Sequence, residues 1–294
     1  MKPVLKTWST PVITEKRAAT PCPLCGSSVF KPFFDCGGFS FVKCASCSLV
    51  QQNPRPSQKD VINRYNENDY LNYELQNEEV FLRLSLLALK DAGFFKIEKK
   101  LFASGKNRVL DVGCASGALL QSLKKRGWET RGIEISEAQA SYASGRGVNV
   151  VSVPLEEAGF APGGFDVVIA SHLIEHLNDP DSFVRTVYNL LDGGGYFFIT
   201  TPAVDGLQAR IFGPSWRSAI FDHLYLFSKR TLFFVLKKCG FIIERRSSWG
   251  GLPAGFSVSE ALGAPFSLAL KKAADRAAKT LNIGDVMIVR ARKK

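Results

Sequence analysis

The sequence has no apolar run long enough to cross a bilayer, no internal repeat, and only three histidines in 294 residues. The first absence excludes a helical membrane span, and the opening residues also lack the apolar centre of a secretory leader, so a cytoplasmic chain is expected. The second excludes solenoids and propellers. A shortage of histidine leaves few groups able to exchange protons near neutral pH, which makes the positions of His172, His176 and His223 informative. There is no G-x-x-x-x-G-K-S/T loop either, so a P-loop phosphate site is excluded.

What is present is ordinary globular material, 46% hydrophobic and 22% charged, sufficient to bury a core without disulfides. The formal charge of +11 is compatible with nucleic acid, an acidic small substrate or a basic surface. Five of the seven cysteines lie between Cys22 and Cys47. Cys22-Pro-Leu-Cys25 and Cys44-Ala-Ser-Cys47 form two CxxC pairs, a spacing that lets four thiolates surround one tetrahedral Zn2+. Four thiolates leave no open position, so the expected metal is structural; Cys36, Cys114 and Cys239 are left out of the set. The character of the chain changes near Pro54 and near Ser104, giving a zinc-ribbon-like module over 1–55, a helical linker or cap over 56–104, and a larger domain over 105–294. In the middle segment Leu75, Val80, Leu82, Leu86, Leu89 and Ile97 recur at helical spacing, predicting helices that cover the larger domain.

From Asn107 apolar strands alternate with helical stretches: RVLDVG, ALLQSLKKRG, TRGIEIS, SEAQASYASGRG, VNVVSV, FDVVIAS, SFVRTVYNLLDGG, YFFITTP. Strict alternation predicts an α/β fold, Rossmann-like, with a mostly parallel sheet and helices on both faces. A helix TLFFVLKKCG, a strand FIIERRSS, a helical stretch from about Ala264 to Leu281 and a last strand DVMIVRAR complete a sheet of seven strands.

The first strand ends in Asp111-Val-Gly113-Cys114-Ala-Ser-Gly117, a glycine turn where backbone can approach a ligand closely. This D-x-G-x-x-x-G pattern differs from the dinucleotide fingerprint, which argues against a pyrophosphate. Glu134, 21 residues beyond Gly113, stands at the next strand end, where a carboxylate can accept both ribose hydroxyls. Ribose without pyrophosphate points to S-adenosylmethionine. DVGCASG, GIEIS, FDVVIASHLIEHLNDP and LDGGGYFFITTP, in this order, resemble the motifs of class I methyltransferases over about 107–246. The resemblance implies that the Asp111 to Gly117 turn holds the methionine part, Glu134 the ribose, and Leu155 and Glu156 the edge of the adenine, with Ser171 at the end of the fourth strand also on the cofactor. Family members often carry an acid where Pro154 stands, which throws the adenine contact onto backbone.

The methyl acceptor needs a base wherever it gives up a proton. SHLIEHL resembles the S-E-x-x-E-H stretch of ubiquinone-type O-methyltransferases, some of which bind a divalent ion there, and includes His176. FDHLYLFS resembles the E/D-H-x-x-x-F-S segment of sugar and small-molecule methyltransferases and makes His223, beside Asp222, the first candidate for general base. Tyr65, Tyr70, Tyr73, Trp216 and Trp249 are candidates for an acceptor cavity or for core. A small-molecule O- or C-methyltransferase is the expectation, its acceptor a sugar, a polysaccharide precursor or a secondary metabolite. An RNA or protein methyltransferase is the alternative, weakened by Thr200-Thr201-Pro202-Ala203 where a D/N-P-P-Y/F motif would stand. A noncatalytic S-adenosylmethionine-binding protein is the third reading.

Overall fold

The computed structural model describes residues 19–56, 68–251 and 264–294. Tyr65 and the 252–263 part of the late amphipathic stretch lie outside them. The partition 1–55, 56–104 and 105–294 is drawn along the chain, whereas the two compact units gather discontinuous pieces: Met1–Asp60, Pro202–Lys229 and Ser248–Met287 in the first, and Val61–Thr201, Arg230–Ser247 and Ile288–Lys294 in the second.

In the first unit, β1 (Phe30–Asp35), β2 (Ser40–Cys44) and β3 (Val50–Gln52) form an antiparallel meander. A fourth strand, β9 (Tyr225–Leu226), pairs antiparallel with β3, setting Val50 opposite Leu226 and Gln51 opposite Tyr225. The same junction is held by Gln52 N–H on the Leu224 carbonyl at 2.8 Å and the Gln52 side-chain amide on the Phe221 carbonyl at 3.2 Å. Phe41, Val50, Trp216, Ala219 and Leu226 pack into one buried cluster. Trp216 is core in this unit, and its indole N–H donates to the Asp285 carboxylate.

The second unit opens with α1 (Asn68–Asp91) and α2 (Phe94–Ala103), which Gly93 joins at φ 78°, a conformation that favours glycine. Then β4 (Arg108–Val112), α3 (Ala118–Lys125), β5 (Glu129–Ile133), α4 (Glu137–Gly145), β6 (Val150–Val151), β7 (Phe165–Ser171), α5 (Pro180–Leu190) and β8 (Leu191–Pro202) alternate as expected. The strands lie in the order β8-β7-β4-β5-β6 and every neighbouring pair is parallel. Beyond β8 the sheet continues through β11 (Val286–Arg292) to β10 (Ile242–Trp249), seven strands in all, so the last strand inserts beside β8. Central strands read as unbroken apolar runs because helices cover both faces: β7 is buried from Phe165 to Ala170. Asp179 caps α5, its carboxylate accepting from the amides of Asp181 and Ser182, with Pro180 in the first turn.

The helix α1 packs against α2, α3 and α4. Leu89 is buried and Leu75, Leu82 and Leu86 are half-buried, forming one face. Val80 departs from the expectation that placed it with them: it is 56% exposed, because 3.6 residues per turn puts it on the opposite side of the helix. Phe94 of α2 meets Trp128 and Phe198, and Glu98 accepts from the Trp128 indole at 2.9 Å and from the Arg126 guanidinium, anchoring α2 beside the sheet.

Candidate functional site

The strand order reverses between β4 and β7: the chain runs outward through β5 and β6, then returns to the other side of β4. Open α/β sheets bind ligands beyond strand carboxyl ends at such a switch point. The sequence candidates fall there. Asp111 and Gly113 close β4, Glu134 follows β5, Leu155 and Glu156 follow β6, and Ser171 closes β7. The structure therefore brings all the nominated cofactor residues to the ends of four adjacent parallel strands.

The turn itself is tightly wound. Gly113 and Gly117 both have φ 74° and Ala115 has φ 46°, three left-handed residues in five. The amides of Gly113 and Cys114 both donate to the Ile133 carbonyl, which fastens the turn to the end of β5. A Cβ on Gly117 would meet Ala143 at 3.0 Å and Val148 at 3.1 Å, so this glycine also lets α3 approach α4. Cys114 points away from the turn's mouth into a cluster with Leu120, Ala143 and Val148, so what it presents to the turn is backbone.

Two buried carboxyls face this turn. Glu134 accepts from the Ala115 amide at 3.0 Å and the Ser136 amide at 2.9 Å, yet burial outweighs those bonds and raises its pKa. Asp111 is 4% exposed and accepts no hydrogen bond from any described group; burial, then the nearby Glu134 charge, push its pKa well above the usual carboxylate range. A site with two acids held close and no cation of its own among the described residues can accept a positively charged ligand.

Several contributors were not singled out from sequence. Gly132 in β5 has no room for a side chain, since a Cβ there would lie 2.7 Å from the Cys114 sulfur and 2.8 Å from Leu120. Arg146, beside α4, pairs with the Glu78 carboxylate of α1 and with the Gln121 side chain at 2.8 Å. Glu175, which the SHLIEHL stretch had already set beside His172 and His176, is 1% exposed and accepts from the Thr201 hydroxyl at 2.9 Å, with the His172 ring nitrogen 3.2 Å from its other oxygen. His172 reaches it because the chain reverses there at φ 53°. An apolar-plus-motif reading has no signal for pairs such as Glu78 with Arg146 or Glu175 with Thr201, which join residues from different elements.

The remaining nominated groups sit as follows. His176 ends a single 3-10 turn, Ile174–His176, and is half-buried. In the first unit His223 is 7% exposed and its Nδ1 lies 2.8 Å from the Ser218 carbonyl. A carbonyl only accepts, so Nδ1 carries the proton and Nε2 is the basic nitrogen of the neutral ring. Asp222 beside it is partly exposed. Tyr73 is 39% exposed on α1, and Trp249 closes β10.

The cysteine quartet of the first unit is assembled. The sulfurs of Cys22 and Cys47 are 3.4 Å apart and those of Cys25 and Cys44 3.5 Å, all four within 4.8 Å of one another. Tetrahedral Zn–S bonds of about 2.3 Å require sulfur separations of roughly 3.8 Å, so the set fits Zn2+ with a small relaxation. The two loops match in backbone: Gly26 N–H bonds the Cys22 carbonyl at φ 73°, and Ser48 N–H bonds the Cys44 carbonyl at φ 70°. The Cys22 and Cys47 sulfurs share one proton in the metal-free site, which favours a thiolate at Cys47.

The seven-stranded sheet in the order β10-β11-β8-β7-β4-β5-β6, with a D-x-G-x-x-x-G turn and a carboxylate at neighbouring strand ends, has the Rossmann-like fold of S-adenosylmethionine-dependent methyltransferases. Within that class, the profile of the methyltransferase-domain family matches residues 74–245, more than half of the chain, and the protein belongs to that family. Among curated proteins it is similar to a ubiquinone biosynthesis O-methyltransferase of Bordetella bronchiseptica, 41% identical over 105 residues, which is 33% of this chain and 43% of that one. It is also similar to the Pseudomonas aeruginosa protein of the same description, 35% identical over 112 residues, 36% of this chain and 48% of that one. The matched part thus spans less than half the length of these relatives. Among solved structures, a SAM-dependent methyltransferase from Archaeoglobus fulgidus superposes with a TM-score of 0.48 at 21% identity, covering 71% of this chain and 99% of that one. No described helix is long and apolar enough to cross a membrane.

Proposed function

We propose that the protein transfers the methyl group of S-adenosylmethionine to a hydroxyl oxygen of a small molecule, with transfer to carbon as the variant chemistry. The observation that carries this reading is the pair of buried carboxyls, Asp111 and Glu134, at the switch point of the sheet. Bound there, the cofactor supplies an activated methyl on a sulfonium. The turn from Asp111 to Gly117 holds its amino-acid end, with Asp111 countering the ammonium. Glu134 accepts from the ribose hydroxyls by exchanging its amide partners, and Leu155, Glu156 and Ser171 border the base and the sulfur. In transfer, the acceptor oxygen forms a bond to the methyl carbon as the carbon–sulfur bond breaks, and its electron pair stays on sulfur. The acceptor proton goes to a base.

His223 is that base in this reading, its tautomer fixed by the Ser218 carbonyl, with Asp222 and His176 as supporting groups. The hydroxyl acceptor is supported by the description of the Bordetella and Pseudomonas relatives as O-methyltransferases. Cys22, Cys25, Cys44 and Cys47 hold a structural Zn2+. Titration calorimetry with S-adenosylmethionine, its demethylated product and NAD tests the cofactor assignment: binding of the first two without the third is expected, and the reverse pattern overturns it. Replacing His223 by Gln is expected to lower kcat on an O-acceptor by about 100-fold, the usual scale of general-base loss, with cofactor affinity unchanged. Unchanged turnover removes His223 from the mechanism. Tight, salt-dependent RNA binding by the full chain would favour a nucleic-acid acceptor instead.

A further inference from the structure

The helix α1 carries two apolar stripes. The inward one, Leu75, Leu82, Leu86 and Leu89, is the face turned toward its own unit. The outward one is made of Tyr73 (39% exposed), Val80 (56%), Leu84 (45%) and Leu87 (46%). At 3.6 residues per turn these four lie within a narrow band, and Tyr73 to Leu87 spans about 21 Å of helix axis. An apolar band of this length on one helix marks an interaction surface more often than a solvated face.

The charges beside the band say what covers it. Glu79, Arg83 and Lys90 line one edge only, acid toward the N-terminal half and bases toward the C-terminal half. Glu79 and Arg83 are exposed, and neither forms an ion pair among the described residues. Lay a second copy of α1 antiparallel across a two-fold axis near Phe81, and that edge meets itself: Glu79 of each copy faces Arg83 of the other, twice. The band meets itself too, with Tyr73 near Leu87 and Val80 near Val80 and Leu84. In a parallel two-fold pairing the Glu79 and Arg83 edges of the two copies would lie on opposite sides of the seam and never meet, so only the antiparallel arrangement pairs these charges.

We infer that the outward face of α1 is a homodimer interface in which two copies of this chain pair antiparallel through Tyr73, Val80, Leu84 and Leu87, with Glu79 and Arg83 setting the register. A contact confined to one helix pair lies at the small end of interfaces, so a dissociation constant on the order of micromolar is expected.

Sedimentation velocity on the full chain, from about 1 to 100 μM, reads this directly. A concentration-dependent monomer–dimer equilibrium is expected. Leu84→Glu should shift it toward monomer by at least tenfold in dissociation constant; Leu84→Ser keeps the test alive if the charged variant folds poorly. Glu79→Arg and Arg83→Glu should each weaken the dimer several-fold, and combining them should restore it, because the pairs re-form with signs exchanged. A monomer throughout the range, or a dimer indifferent to all these changes, overturns the inference. So does a monomer that floats with phosphatidylglycerol vesicles and loses that binding in Leu84→Glu, which would make the band a lipid contact.

Discussion

Asp111 is a buried acid with no cation beside it among the described residues, and its energetics can be read in both directions. Because its pKa in the fold is raised by burial and by Glu134, the folded chain binds the proton more tightly than the unfolded chain does. Its contribution to stability is therefore full with the carboxyl protonated, and is lost as pH rises from the ordinary carboxylate range through the raised value. A cationic ligand reverses the preference, since it favours the ionised form; binding then expels a proton, and affinity rises with pH across the same window. Asp111→Asn is expected to raise the melting temperature of the ligand-free protein while weakening S-adenosylmethionine by at least about tenfold, the scale of one charge-assisted contact. Differential scanning fluorimetry and calorimetry in buffers of different ionisation enthalpy measure the two halves. A lowered melting temperature would show that Asp111 is instead a structural anion. Gly132 is the counterpart on the steric side. Gly132→Ala forces a methyl against the Cys114 sulfur and Leu120, and a loss of about 1–3 kcal/mol in urea unfolding is expected. The motif DVGCASG was plain in the sequence, but nothing in GIEIS distinguishes a glycine that must be small from one that is merely tolerated.

At the level of elements, the metal loops and α1 show what periodicity can and cannot supply. Paired CxxC spacing was enough to nominate Cys22, Cys25, Cys44 and Cys47, because a two-residue gap closes a loop without outside help. It says nothing of the strand that completes their sheet. A two-residue strand such as β9, paired with residues about 175 positions earlier, has no local signature. Titration with a mercurial thiol reagent in the presence of a chromogenic zinc chelator is expected to release Zn2+ from the purified chain, with Cys44→Ser abolishing the stoichiometric ion and the cooperative melting of the first unit. Retention of a sharp two-state transition after chelation would mean that the apolar cluster around Phe41 and Trp216 suffices. For α1, counting apolar residues at helical spacing took Val80 of the outward stripe in with the inward leucines, because periodicity alone does not say that a helix has two apolar faces. Val80 was assigned to the wrong one for that reason.

On the scale of the whole molecule, the α/β alternation was the most legible feature, since parallel strands covered on both faces must be apolar throughout and FDVVIA and YFFIT can hardly be anything else. The switch point followed from it, and with it the neighbourhood of Asp111, Glu134, Leu155 and Ser171. The pairings that tie distant elements were not legible: Glu78 with Arg146, Glu175 with Thr201, Trp216 with Asp285. Each is a polar contact whose partners are chosen by the tertiary fold. The net charge of +11 was the least informative quantity, being spread over both signs along the chain.

The annexed strand Tyr225–Leu226 has a practical corollary. Anyone trimming this protein to start after Pro56, as an economical catalytic half, would strip that strand of its hydrogen-bonding neighbour and the Phe221 carbonyl of its donor. The bared edge would recruit other chains, and the shortened product would be adhesive rather than minimal.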